Sequence, residues 1–157
     1  MRFIIAVLLV FGMSACVVPV PVTSAAPAGN QPVGRPDSSE FTTRLNALRA
    51  ERSLRPLVRN ARLDRAAKAH ANDMAQRGYF SHRGADGSSA GDRIGRAGYQ
   101  ACGWAENIAD GYRGPSAAFA GWEGSAGHRR NMLGRNYTEY GLANTGGKWV
   151  MVLARRC

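Results

Sequence analysis

The chain has 157 residues, 45% of them hydrophobic, and a formal net charge of +10. That length supports one domain with some extra chain, and that apolar share excludes wholesale disorder. Only Lys68 and Lys148 among its 21 basic residues are lysine; an arginine-rich positive surface favours anionic partners such as phospholipid headgroups or acidic envelope polymers, or else reflects codon habit alone.

The N-terminus reads as an export signal. Met1-Arg2 is a short positive start, and residues 3–11 form an apolar run too short to span a bilayer. Gly12-Met-Ser-Ala-Cys16 resembles a bacterial lipobox, in which Cys16 becomes the lipidated mature N-terminus. The alternative is cleavage further on, near Ser24-Ala25-Ala26, giving a soluble secreted protein. Either way the N-terminus is a signal peptide, residues 1–15 where Cys16 is lipidated, and the protein is exported. It is then a lipoprotein facing the periplasm or exterior and held to the membrane through Cys16, or a secreted protein. With Cys16 lipidated, Cys102 and Cys157 form an even pair in an oxidising compartment, which predicts a disulfide. Closing a loop of that length is worth roughly 4 kcal/mol on the chain-entropy view.

Residues 16–38 hold five of the seven prolines. Proline removes donors and favours extended chain, so this stretch reads as a tether reaching roughly 60 Å. A folded domain over residues 39–157 follows. Asp37 with Glu40 resembles a capping box, and Phe41, Leu45 and Leu48 recur at helical spacing to about Arg52. Ser53-Leu-Arg-Pro56 breaks that helix. Asn60 caps a second helix with Asp64 in its first turn, Gly78 past its end, and Leu63, Ala67, His70 and Met74 on its inner face. A Gly/Ser-rich loop covers residues 81–91, and a short helix runs from about Asp92 to Ala97. Residues 99–109 are partly extended. Gly114-Pro115 opens a helix carrying Phe119 and Trp122 that loosens near Gly124. A hairpin closes the chain: Tyr140 to Asn144, a turn at Thr145-Gly-Gly147, and Lys148 to Ala154. Residues 149–153 are continuously apolar, as in a strand covered on both faces. The pattern predicts an α+β fold with helices flanking a small, mainly antiparallel sheet.

Three polar residues stand in glycine-rich, loop-like surroundings: His82, Glu106 and His128. Two imidazoles and a carboxylate suit a divalent metal, zinc by ligand type, or a proton-transfer cluster. Spacing alone leaves open that each is simply a hydrogen-bonded buried polar group. His70 reads as a satisfied, half-buried core histidine, and Asn107 and Asn131 as backbone-bonding residues beside the cleft. Gly87-Ser-Ser89-Ala-Gly91 matches the nucleophile-elbow pattern, but a Gly/Ser loop precedes it where a strand is required. No His-Glu-x-x-His motif occurs. The arginines lack interleaved aromatics, so no nucleic-acid partner is expected.

The ordered set Leu45-Asn46 with Arg49, Ala66-Ala-Lys-Ala-His70-Ala-Asn-Asp-Met74, Phe80-Ser-His82, Ala105-Glu106-Asn107, Trp122-Glu-Gly-Ser125-Ala-Gly127-His128-Arg-Arg-Asn131 and Tyr140-Gly141 resembles the bacterial branch of the CAP superfamily. That superfamily contains the cysteine-rich secretory proteins, antigen 5 and pathogenesis-related protein 1. The resemblance covers residues 39–157 and implies an α-β-α sandwich with a central cleft lined by two histidines, here His82 and His128, and by acidic residues, one falling on Glu106. The position of a second acid is Ser125, so the cleft holds a triad, and zinc is expected to bind weakly at His82 and His128. Family members favour a non-enzymatic envelope module that binds lipid or another envelope ligand. The alternatives are a protease-like hydrolase using His82, Glu106 and His128, with Ser125 as its candidate nucleophile, and a purely structural envelope lipoprotein.

Overall fold

The computed structural model describes residues 38–157, all within one compact unit. The signal peptide, Cys16, the proline-rich tether and the Asp37 cap lie outside the described residues. The elements run α1 (Ser38–Ala50), β1 (Val58–Arg59), α2 (Ala61–Arg77), α3 (Ala90–Arg96), β2 (Ala101–Ala109), α4 (Pro115–Gly124), α5 (Ala126–Met132), β3 (Glu139–Thr145) and β4 (Lys148–Arg156). The sheet order is β1-β3-β4-β2. The β2–β4 and β3–β4 pairs are antiparallel and β1 pairs with β3 in parallel. The sheet is therefore mixed, and its two-residue parallel edge carried too little pattern to be read beforehand.

Side chains on a strand alternate between faces, and each face here has its own core. Trp149, Met151 and Leu153 of β4 pack with Phe41, Leu45, Phe119, Trp122 and Met132 from α1, α4 and α5. Val150, Val152 and Ala154 pack with Leu63, Ala67, Met74 and Ile94 from α2 and α3. The result is the predicted α-β-α sandwich. The continuous apolar run in β4 exists because both of its faces are covered. Phe41 sets the first core geometrically: its ring meets Phe119 edge-on at 5.4 Å and stacks on Tyr140 at 6.1 Å. In the second core Gly141 allows the closest helix–sheet approach, since a Cβ there would stand 2.1 Å from the Leu63 carbonyl carbon.

Helix boundaries follow their caps. Asn60 accepts from the backbone N–H groups of Arg62 and Leu63 and starts α2. α3 begins two residues earlier than its hydrophobic pattern implied, because Ser89 and Asp92 form a reciprocal capping box. The stretch read as a loosening of α4 is a second helix, α5, set off by Ser125 in extended conformation.

Two connections fix what the caps do not. A disulfide joins Cys102 to Cys157 across a sequence separation of 55, and the Cys157 N–H donates to the Gln100 carbonyl. The outer edge of β2 is closed by side chains: Tyr137 donates to the Trp104 carbonyl, Asn131 to that of Glu106, and the Trp122 indole to that of Ile108. An edge strand with unpaired carbonyls is a site for unwanted pairing, and these three donors use it to hold α4, α5 and the connection from α5 to β3 in place.

Candidate functional site

β2 is the strand from which the site is built, and successive residues on it face opposite layers. Glu106 points toward α2 and α3, and Asn107 toward α5. The Glu106 side chain is 3% exposed, so its charge needs partners. Arg93 of α3 donates from Nη2 to Oε2 at 2.8 Å, and His82 donates from Nδ1 to Oε1 at 2.9 Å. Arg93 also holds the His82 backbone, through Nη2 to its carbonyl at 3.0 Å, and the Ser88 carbonyl through Nη1 at 2.9 Å. One guanidinium thus fixes the carboxylate and the loop that presents His82. The imidazole of His82 is 60% exposed, with Nε2 free of protein partners among the described residues.

His70 lies deeper than the sequence implied. It is fully buried, and its Nε2 stands 2.8 Å from the Ser81 carbonyl and 3.9 Å from Glu106 Oε1. A carbonyl only accepts, so Nε2 carries the proton, and Nδ1 is left as an unpartnered acceptor. Burial pushes the His70 pKa down, outweighing the attraction of Glu106. Protonation would place a second N–H where no acceptor exists.

His128 sits on α5, half-exposed. Its pKa is lowered by burial and then by the nearby charge of His82, which places the two imidazoles in one electrostatic neighbourhood. Two amides hold α5 in register with β2. Asn107 donates to the His128 carbonyl at 3.0 Å, and Asn131 donates to Asn107 Oδ1 at 2.8 Å. From the far side Arg49, fully buried, donates to the carbonyls of Met132 and Gly134, where the negative end of α5 favours a cation.

Ser125 occupies the break between α4 and α5, and no hydrogen bond joins its hydroxyl to His82, His128 or Glu106. Glu123, its neighbour, faces Arg44 at 3.8 Å. No acid therefore completes the set from this side. Arg93 and Trp104 are the residues that sequence reasoning missed. Arg93 was legible only as a charged residue beside Ile94 on the inner stripe of a short helix. Trp104, 44% exposed, lines a cavity of about 300 Å³ together with His82, Arg83, Ser89, Ala90 and Glu106. Its indole lies against Gly91, where a Cβ would approach Nε1 to 2.8 Å, so glycine at that position lets the ring seat.

A three-ligand zinc centre that includes Glu106 does not fit these residues. Both Glu106 oxygens are engaged, one by a cationic guanidinium that repels a metal. Among the described residues no group of three or more His, Cys, Asp or Glu side chains is arranged to hold an ion.

The family model described as the cysteine-rich secretory protein family, CAP, matches residues 42–151. Two uncharacterised Bacillus subtilis proteins, YkwD and the membrane protein YlbC, are each 35% identical over 99 residues, or 62% of this chain. The match spans 38% of the length of the first and 28% of the second. Among solved structures, an extracellular protein containing an SCP domain from Bacillus anthracis aligns with TM-score 0.72 at 28% identity. That alignment covers 75% of this chain and 40% of the other. An outer surface protein from Borrelia burgdorferi aligns with TM-score 0.69 at 18% identity, over 76% of this chain and 92% of that one, which is likeness of fold alone.

Two predictions follow from the buried charges. Removing one member of such a pair strands the other, so Arg93→Met lowers unfolding free energy by about 3–5 kcal/mol in urea melts. Pairing it with Glu106→Gln restores part of that loss; a single-variant cost below about 1 kcal/mol contradicts the arrangement. The lowered His70 pKa means the unfolded chain binds more protons than the native one just below the ordinary histidine value of about 6.5. Stability is then full above that value and falls as pH drops from 7 to 5. His70→Gln flattens the slope more than His128→Gln, because His70 is the more buried; equal slopes in all three proteins contradict it.

Proposed function

Because the chain belongs to the cysteine-rich secretory protein (CAP) family, we propose that it is an exported cell-envelope module that binds a ligand in the His82–Glu106 cleft without turning it over. The observation carrying this reading is the engagement of both Glu106 oxygens. A carboxylate bonded at 2.8 and 2.9 Å to Arg93 and His82 has both oxygens occupied by fixed partners, and its part in the cleft is to orient them. Among the described residues no hydroxyl is hydrogen-bonded to His82 or His128, so no pre-formed nucleophile–base pair supports the hydrolase alternative. What remains is a partly apolar cavity with a fixed, exposed indole, an imidazole edge and a positive rim at Arg83.

The ligand class we assign is a lipid, or another envelope component with an apolar part and an anionic part. The indole and Ala90 take the apolar part, and Arg83 and His82 take the anionic one. At about 300 Å³ the cavity is at the small end of ligand sites, so it accommodates a headgroup or part of an acyl chain. The similar SCP-domain protein from Bacillus anthracis is extracellular, which supports placement outside the cytoplasm. Among the described residues no helix is long and apolar enough to cross a membrane. Membrane attachment is assigned to lipidated Cys16.

The test is mass spectrometry of lipids extracted from the purified mature protein and from Trp104→Ala. An exposed indole contributes little to the fold, so circular dichroism of the two should agree. The wild type is expected to carry a defined lipid that drops at least tenfold in the variant. Equal lipid in both, or ester or peptide hydrolysis that disappears in His128→Ala, would overturn the reading.

A further inference from the structure

On the other side of Arg93 lies a larger cavity, of about 480 Å³, between α2 and α3. Arg65, Ala69, Asp73 and Arg77 line it from α2 at four-residue intervals, one stripe on one helix face. Arg93, Arg96 and Ala97 line it from α3 and its end, and Asp86 and Ser88 from the preceding loop. We propose that this groove is a second binding site, for an anion carrying at least two phosphate groups.

Charge accounting supports that chemistry. Four guanidiniums face two carboxylates in the groove; Arg93 is also paired with Glu106 behind it, which leaves one positive charge in excess, and both groove carboxylates are already satisfied from within. Asp73 accepts from the Tyr79 hydroxyl, from the Ala85 N–H at 3.0 Å and from Arg77 Nε at 2.9 Å. Asp86 accepts from the Ser88 N–H at 2.9 Å and from Arg96 Nη1 at 2.6 Å. The arginines are not satisfied to the same degree. Arg77 and Arg96 each donate to their aspartate through one nitrogen, and Arg65 donates only to the Ala97 carbonyl, at 3.1 Å. Each guanidinium has further N–H groups in a planar fork suited to phosphate oxygens. In the buried wall Arg93, 7% exposed, has an Nε with no partner.

The shape selects among anions. From Arg65 to Arg77 the α2 stripe runs about 18 Å, so its guanidiniums offer more positions than one phosphate fills, and a diphosphate occupies part of the stripe. The alanines at 69 and 97 keep the floor open between the cationic ends. Arg93 makes the groove and the His82 cleft neighbours through one side chain, since its Nη2 holds Glu106 and the His82 carbonyl. An anion that draws on Arg93 is therefore felt at the His82 ring.

The experiment uses the exported full-length chain at fixed ionic strength, titrated with inorganic pyrophosphate and followed by NMR at the arginine Nε–H and histidine ring signals. The expected result is saturable movement of the Arg93 and Arg96 signals with a smaller response at His82. Affinity should fall at least tenfold in Arg77→Gln/Arg96→Gln and stay unchanged in Arg130→Gln, on the distant α5. Both altered arginines are exposed, and the amide spectrum reports whether the fold persists. Sedimentation with vesicles containing cardiolipin, whose headgroup carries two phosphates, against phosphatidylcholine vesicles, separates the sources. Binding lost in the double variant identifies a lipid headgroup, and pyrophosphate binding without sedimentation identifies a free phosphate compound. Shifts that track ionic strength alone, or saturate equally in the double variant, overturn the proposal. Loss of lipid from the His82 cleft leaves it untouched.

Discussion

A buried carboxylate governs this structure. Glu106 sits on an inner-facing strand position where an unpaired charge would cost several kcal/mol, and the surrounding elements supply its partners. α3 brings Arg93, the loop after α2 brings His82, and α2 itself brings His70 to 3.9 Å. Arg93 bonds the carboxylate and the loop backbone with one nitrogen, so ligand-facing His82 inherits its position from a residue that faces away from the cleft. The same pairing that makes the site rigid places a cationic guanidinium and an imidazole N–H against the carboxylate oxygens.

The opposite layer is tied to the same strand by its backbone. The carbonyls of Trp104, Glu106 and Ile108, left over on the outer edge of β2, are taken by Tyr137, Asn131 and Trp122. α5 has seven residues, two of them directly after a break and one a glycine, and has little intrinsic reason to be helical. It persists because Asn107 and Arg49 hold its backbone carbonyls from two sides. His128 is therefore positioned by packing and amide bonds, and shares its neighbourhood with His82 through charge alone.

What the sequence disclosed and what it concealed divide along range of interaction. α2 was readable from Asn60 to Gly78, because its cap, first-turn acid and inner stripe are local signals. The final hairpin was readable from its Gly-Gly turn and the apolar run in β4. The Cys102–Cys157 pairing came from parity, and His82, Glu106 and His128 from the order of their surrounding motifs. Concealed were the features made by distant residues. Nothing local marks Arg93 as the partner of a glutamate on the next strand, and nothing marks Gly91 as the seat of Trp104. His70 was half legible: its place on the buried face was clear, while its proximity to Glu106 depends on how β2 crosses α2. The engagement of Glu106 by Arg93 was concealed for the same reason: the ligand types were visible and their partners were not.

The central claim is that the Glu106 carboxylate is committed to protein partners, which makes the cleft a place of binding. Long-range proton–nitrogen NMR of the three imidazoles, recorded without metal and then with one equivalent of zinc, tests it most directly. The account predicts a proton on Nδ1 of His82 and on Nε2 of His70, and no joint movement of the His82 and His128 nitrogens when zinc is added. Joint movement of the His82 and His128 nitrogens on zinc addition, or a His82 ring protonated only at Nε2, would contradict it.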